Sequence, residues 1–217
     1  MERGLELEIL FIDDCPSTHL YLCDGVKSGE IKPPFAICAK RQNAGVGSRG
    51  NKWQGLEGNL FLSFCLAKDE MADDIPDASI SIYFSMLMRN LLHEFGSKLW
   101  VKWPNDFYLN ERKIGGTIST KIGQIYIGSI GLNLVVAPKN AGILDIKVSP
   151  ECVATDFVNE LSKKNSWKHI FSKFQVEFER SKNHITHIGP QSVNLSDAQL
   201  CDDGAILIDN KKVYSLR

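Results

Sequence analysis

The chain has 217 residues, 43% hydrophobic and 24% charged, and a formal net charge of −1, enough for one sizeable core but without a chain-wide positive field for nucleic acid or anionic membrane. The longest apolar run, about Leu60 to Ala67, is far too short to span a bilayer, and the acidic opening Met1-Glu2-Arg3-Gly4-Leu5-Glu6 does not resemble a signal peptide. Six cysteines without a C-x-x-C pair suit reduced, buried thiols in a cytoplasmic protein better than disulfides or zinc.

In chain order, Glu6 to Ile12 reads as a strand, and Ser17 or Thr18 can cap a short helix running to Val26. Phe35 to Arg41 is a buried strand that leads into a loop holding Gly45, Gly47, Gly50, Gly55 and Gly58; Asn59 to Leu66 is a second buried strand. Ile80, Phe84, Leu87, Leu91 and Phe95 recur at helical spacing and predict a helix over Ala78 to Phe95. Leu99 to Trp103 is a strand stopped by the turn residues Pro104-Asn105-Asp106. A hairpin follows, Lys113 to Ile122 and Ile125 to Val135 around Gly123-Gln124, and then two helices, Glu151 to Lys163 and Ser166 to Lys182. Beyond Gly189 come short strands, Ala205 to Ile208 and Lys211 to Leu216, around an Asp209-Asn210 turn. The expected class is α+β: a mixed sheet backed by helices over 1–185, and a small β appendage over 186–217.

Three segments carry chemical potential. Gln42 to Trp53 holds glycines that let backbone N–H groups approach a phosphate, with Arg49 and Lys52 to neutralise charge, although a G-x-G alone equally describes a solvated loop. In Val101-Lys102-Trp103-Pro104-Asn105-Asp106 a lysine ends an apolar strand, where a bare ammonium is costly and generally meets an anion; snorkelling is the bland alternative. Lys113-Ile114-Gly115-Gly116 and Gly128 to Asn133 put glycine on two facing strands, as a groove floor for a flat ligand or as two bulged strands. His184 and His187, spaced i, i+3, lack companion ligands and read as surface histidines, so no metal site is expected in the protein.

Taken together these segments resemble the catalytic domain of biotin protein ligases. That family shows a G-R-G-R-x-G-R-x-W loop, a K-W-P-N-D strand end, a K-x-x-G strand and a G-[IL]-N strand, in this order. Gly45 to Trp53, Lys102 to Asp106, Lys113 to Gly116 and Gly131-Leu132-Asn133 correspond, with Ser17-Thr18-His19 as counterpart of an upstream S-T-[NS]. The resemblance implies ATP-dependent activation of biotin to biotinyl-5'-AMP, with magnesium on the phosphates, then transfer to a lysine of a biotin carboxyl carrier protein. Lipoate-type ligation and a non-catalytic small-molecule sensor of the same fold are the alternatives.

By the same resemblance Lys102 and Arg49 are the catalytic charges. Ser17, Thr18, His19, Gln42, Gly45, Gly47, Lys102, Gly115 and Gly116 meet biotin; Ser48, Arg49, Gly50, Trp53, Asn105, Asp106, Lys113 and Asn133 line the adenylate side. The family's three loop arginines fall at Val46, Ser48 and Asn51 here, so Arg49 is expected to supply the second one's charge, with Lys113 the next candidate. The pattern starts almost at Met1, which fits the monofunctional type without a DNA-binding domain; no DNA or membrane partner is expected, and a homodimer is compatible.

Overall fold

The computed structural model describes residues 7–48, 51–188 and 191–214. Strand β1 (Glu8–Cys15) leads into helix α1 (Thr18–Ser28), whose N-cap Ser17 accepts from the Leu20 N–H and whose C-cap Gly29 takes the left-handed conformation at φ 78°. Next come β2 (Phe35–Val46), β3 (Lys52–Gly55) and β4 (Leu60–Ala67). Among its described residues the glycine-rich segment is therefore largely strand. β2 continues five residues past Arg41 and pairs antiparallel with β3 around a bulge between Gln42 and Gly45. Gly55 makes this close pairing feasible, since a Cβ there would lie 2.1 Å from the Gln42 carbonyl oxygen.

Helix α2 (Ile80–Glu94) is followed by β5 (Trp100–Lys102), β6 (Asp106–Leu109), β7 (Arg112–Ile122) and β8 (Ile125–Leu132). β6 occupies residues that read as a turn and its sequel. Helices α3 (Pro150–Ser162) and α4 (Trp167–Ser181) are capped by Ser149 and Ser166. The remaining strands form β9 (Ile185–Ile188) with β10 (Gln191–Asn194), and a separate sheet of β11 (Gln199–Leu200), β12 (Ile206–Ile208) and β13 (Lys211–Val213). Asp209 and Asn210 both have positive φ, 48° and 58°, as the tight β12–β13 turn demands.

The main sheet runs β1-β2-β4-β8-β7-β6-β5, with β3 added alongside β2. β1 and β2 are parallel and every other pair is antiparallel, so the sheet is mixed. β4 is covered on both faces. Leu60, Leu62, Phe64 and Leu66 join the large core with α2, α3 and α4, while Cys65 packs with Leu22, Cys23 and Val26 of α1. All six cysteines are free thiols; Cys15, Cys23, Cys38 and Cys65 are buried, whereas Cys152 is exposed and Cys201 intermediate. Burial pushes the Cys38 thiol up to about 12 and Cys65 to about 11. No helix among the described residues is long and apolar enough to cross a membrane.

Candidate active site

The sheet face that carries α1 also carries an open cleft of about 500 Å³. Its floor follows from strand register, because directly paired residues project from the same face. Phe61 pairs with Gly131, Gly131 with Gly116, Gly116 with Asp106, and Asp106 with Lys102. One row thus crosses five strands, apolar at one end, bare at its two central glycines and charged at the other end. Trp53 covers the middle: a Cβ on Gly131 would lie 2.8 Å from the Trp53 indole carbon Cε2. The indole Nε1 is buried and has no acceptor among the described residues.

At one end a ladder of neutral groups joins five elements, α1, β2, β4, β7 and β8. The Thr18 backbone N–H and its hydroxyl both donate to Gln42 Oε1, at 2.7 and 3.1 Å, which orients that amide. The Ser63 hydroxyl lies 2.8 Å from both Thr18 Oγ1 and Ser129 Oγ. His19 Nδ1 is 2.7 Å from Ser129 Oγ and its Nε2 is 3.0 Å from Thr120 Oγ1. Burial lowers the His19 pKa to about 4, so the ring is neutral at physiological pH. This end offers hydrogen bonds and no charge.

The opposite end is ionic. Lys113 Nζ lies 2.6 Å from Asp106 Oδ1, and both line the cleft. Lys102 is not among the lining residues. Its ammonium sits 3.3 Å from Tyr108 Oη and 5.0 Å from that ring's centroid, one strand pair beyond Asp106. Burial raises the Tyr108 hydroxyl to about 12, so it meets Lys102 as a neutral phenol.

A second cleft of about 890 Å³ adjoins, sharing Gly47, Ser48, Trp53 and Lys113 with the first and adding Lys52, Gly115, Asn133, Pro138 and Asn140. Asn133 is fixed by its Nδ2 donating to the Gly142 carbonyl at 3.1 Å. The backbone leading into this wall hangs on Asn59, whose Oδ1 accepts from the N–H groups of Leu134, Val135 and Val136.

Of the residues singled out in the sequence, Ser17, Thr18, His19, Gln42, Gly47, Ser48, Trp53, Asp106, Lys113 and Gly116 line the first cleft, and Gly115 and Asn133 the second. Gly45 lies behind the wall, paired with Trp53, and Asn105 Nδ2 donates to the Thr117 carbonyl at 2.7 Å. Arg49 and Gly50 lie outside the described residues. Ser63, Thr120 and Ser129 were not foreseen; for Ser63 and Ser129 the signal is a lone hydroxyl inside an apolar strand, meaningful only once register aligns the strands, whereas Thr120 stands among the polar residues Ser119 and Lys121 and gave none.

The architecture is that of biotin protein ligases. It matches the crystal structure of biotin acetyl coenzyme A carboxylase synthetase from Helicobacter pylori with bound biotinylated ATP, at a TM-score of 0.92 and 35% identity, covering 96% of this chain and 100% of that one. The biotin protein ligase of Aquifex aeolicus has the same fold, at a TM-score of 0.77 and 21% identity over 97% of this chain and 96% of its own. Residues 11–134 match the biotin/lipoate A/B protein ligase family, and the chain belongs to that family. It is 38% identical over 130 residues to the bifunctional ligase/repressor BirA of Escherichia coli, and that match covers 55% of this chain and 38% of BirA. The match to the human biotin–protein ligase is 28% identical over 202 residues, 85% of this chain and 26% of that protein.

Proposed function

We propose that this protein activates biotin with ATP and transfers it to a lysine of a biotin carboxyl carrier protein in the cytoplasm. One observation carries the proposal: the cleft joins a neutral hydrogen-bonding end to an ionic end, where the Lys113 ammonium beside Asp106 can meet an anion, across a glycine floor. Biotin has the matching polarity, with a neutral ureido ring at one end and a carboxylate at the other. Lipoate places at its far end a dithiolane ring that cannot donate hydrogen bonds and accepts them only weakly, so the Gln42–Thr18–Ser63–Ser129–His19 ladder favours biotin.

A carboxylate is a poor electrophile until its oxygen becomes a good leaving group. In the proposed first step a biotin carboxylate oxygen attacks the α-phosphorus of ATP and pyrophosphate leaves. In the second, the acceptor amine attacks the acyl carbon and AMP leaves, with the amine proton passing to solvent. The protein's part is to bring two anions together and stabilise the charge in the transition state. Lys113 stands at the cleft, and a side-chain rotation about the Lys102 Cα, one strand pair from Asp106, brings a second ammonium there. Arg49 is the further candidate charge. Magnesium fits as an ion held mainly by phosphate oxygens and water: Asp106 is the one carboxylate lining the first cleft among the described residues, and Lys113 already pairs with it.

The test is incubation with biotin, ATP, magnesium and a carrier domain, followed by intact-mass measurement. One added biotinyl group on the carrier lysine is expected, and none when lipoate replaces biotin. Lipoyl transfer without biotinyl transfer would assign the cleft to the other branch of the family. Pyrophosphate release without transfer to the carrier would leave activation and remove the acceptor.

A further inference from the structure

β5 is an edge strand only three residues long, and it carries Lys102. One edge pairs with β6; the other would leave the backbone N–H groups of Val101 and Trp103 without partners in the interior, where Val101 and Trp103 are fully buried. Helix α4 supplies the acceptors. Glu177 Oε2 accepts from the Val101 N–H at 3.0 Å, and Ser181 Oγ from the Trp103 N–H at 3.0 Å. The spacings agree: four residues of helix rise about 6 Å, and two residues of strand about 6.7 Å. Two side chains of one helix thus stand in for a missing neighbouring strand.

We infer that Glu177 and Ser181 are positioning residues for Lys102, acting through the backbone of β5. Lys102 lies between the two clamped amides, and its side chain leaves the strand on the cleft face, opposite the buried Val101 and Trp103. Fixing the amide on each side fixes the direction in which the Lys102 stem departs. The clamp is itself held. Glu177 is 1% exposed, and its other oxygen takes a 2.7 Å ion pair from Arg89 of α2. A buried carboxylate with a cation on one oxygen and a strand amide on the other has little freedom to shift, which suits a part that must hold a catalytic charge to fractions of an ångström. This inference rests on Lys102 as a charge-stabilising residue in the proposed activation step.

The experiment is pyrophosphate release from biotin and ATP at saturating concentrations, for Glu177→Gln and Ser181→Ala alone and each combined with Lys102→Ala. Ser181→Ala removes one neutral acceptor and should fold; Glu177→Gln keeps one oxygen for the Val101 amide but sets its NH2 against Arg89, so a thermal melt establishes its fold before rates are compared. Ser181→Ala is expected to slow release roughly tenfold to a hundredfold, with faster exchange of the Trp103 amide. Glu177→Gln, which also loses the Arg89 ion pair, should slow release at least as much as Ser181→Ala. Lys102→Ala alone is expected to lose roughly two to three orders of magnitude.

The deciding comparison is in the Lys102→Ala background, where neither clamp change should slow release further although each lowers the melting temperature as before. An equal further loss there, or a wild-type rate in folded Ser181→Ala, overturns the inference. A wild-type protein that releases no pyrophosphate overturns the functional proposal instead, and the two failures are told apart by that control.

Discussion

His19 occupies a position where the family pattern carries a small polar residue, and its ring spans from α1 to β7 and β8 through Thr120 and Ser129. With both nitrogens engaged and burial holding its pKa at about 4, against an ordinary 6.5, the folded protein resists protonating it. The sign follows directly. Between those two values the unfolded chain binds a proton that the folded chain does not, so stability falls as pH drops from about 6.5 towards 4, by at most about 1.4 kcal/mol per pH unit. Asp77, held down by Lys121 and Tyr126, adds a loss in the same direction only below its ordinary 3.8, in a separate window. Urea unfolding at pH 7.0 and 4.5 should therefore show a larger drop for wild type than for His19→Asn, which keeps a side-chain hydrogen bond but cannot titrate. Equal drops in the two proteins would mean that His19 is solvated or charged in the folded state.

Among the elements, the β2–β3 hairpin bears most directly on the cleft, because it seats Trp53 on the glycine floor. Gly131→Ala places a methyl 2.8 Å from the indole, and overpacking of this kind costs about 1–3 kcal/mol. β3 pairs with β2 alone and exposes Lys52 and Gln54, whereas β8 lies inside the sheet between β4 and β7, so the strain should lift the hairpin rather than unfold the sheet. Biotin and ATP should then bind about tenfold or more weakly, the equivalent of about 1.4 kcal/mol, while the melting temperature shifts little. Calorimetric titration beside a thermal melt checks this, and unchanged affinity would show that Trp53 takes no part in closing the cleft.

The long helices and β4 were legible in the sequence because their burial repeats locally, as in Ile80, Phe84, Leu87 and Leu91. β3 and β6 were not. Glycines that read as loop permit the close Gly55–Gln42 approach, and the four residues of β6 follow a Pro-Asn-Asp turn and gain strand character only from non-local pairing with β7. At the site, the K-W-P-N-D pattern contributes Asp106 to the lining of the first cleft, whereas its Lys102 lies one strand farther out. Glu177 lies within the helix expected over Ser166 to Lys182 and is not among the candidate site residues. Its place three residues after Phe174, on the stripe shared with Phe178 and Ser181, was the available signal.

At the scale of the whole molecule, the question is whether the C-terminal strands form a unit of their own, as a division at residue 185 proposes. The contacts favour one cooperative body. Trp103, inside the K-W-P-N-D segment and fully buried, donates its indole N–H to the Gly204 carbonyl at 3.0 Å, and Trp167 of α4 donates to the Asp202 carbonyl at 2.8 Å. The Ser79 hydroxyl donates to the Asp203 carbonyl, so three successive carbonyls in the turn between β11 and β12 are held by Trp167 of α4, by Ser79 just ahead of α2 and by Trp103 just after β5. Ile206 completes the large core from the same small sheet. A segment of about 30 residues without a disulfide buries too little to stand alone, and its removal would take away the acceptors of three donors in the main body. Thermal unfolding should accordingly show one transition, with tryptophan fluorescence and far-UV signals coincident. Trp103→Phe, which leaves the Gly204 carbonyl without its donor and trims the ring, should lower that single transition by about 1–3 kcal/mol without splitting it. Two resolved transitions, or a C-terminal melt that precedes loss of the core signal, would instead establish the appendage as an independent domain.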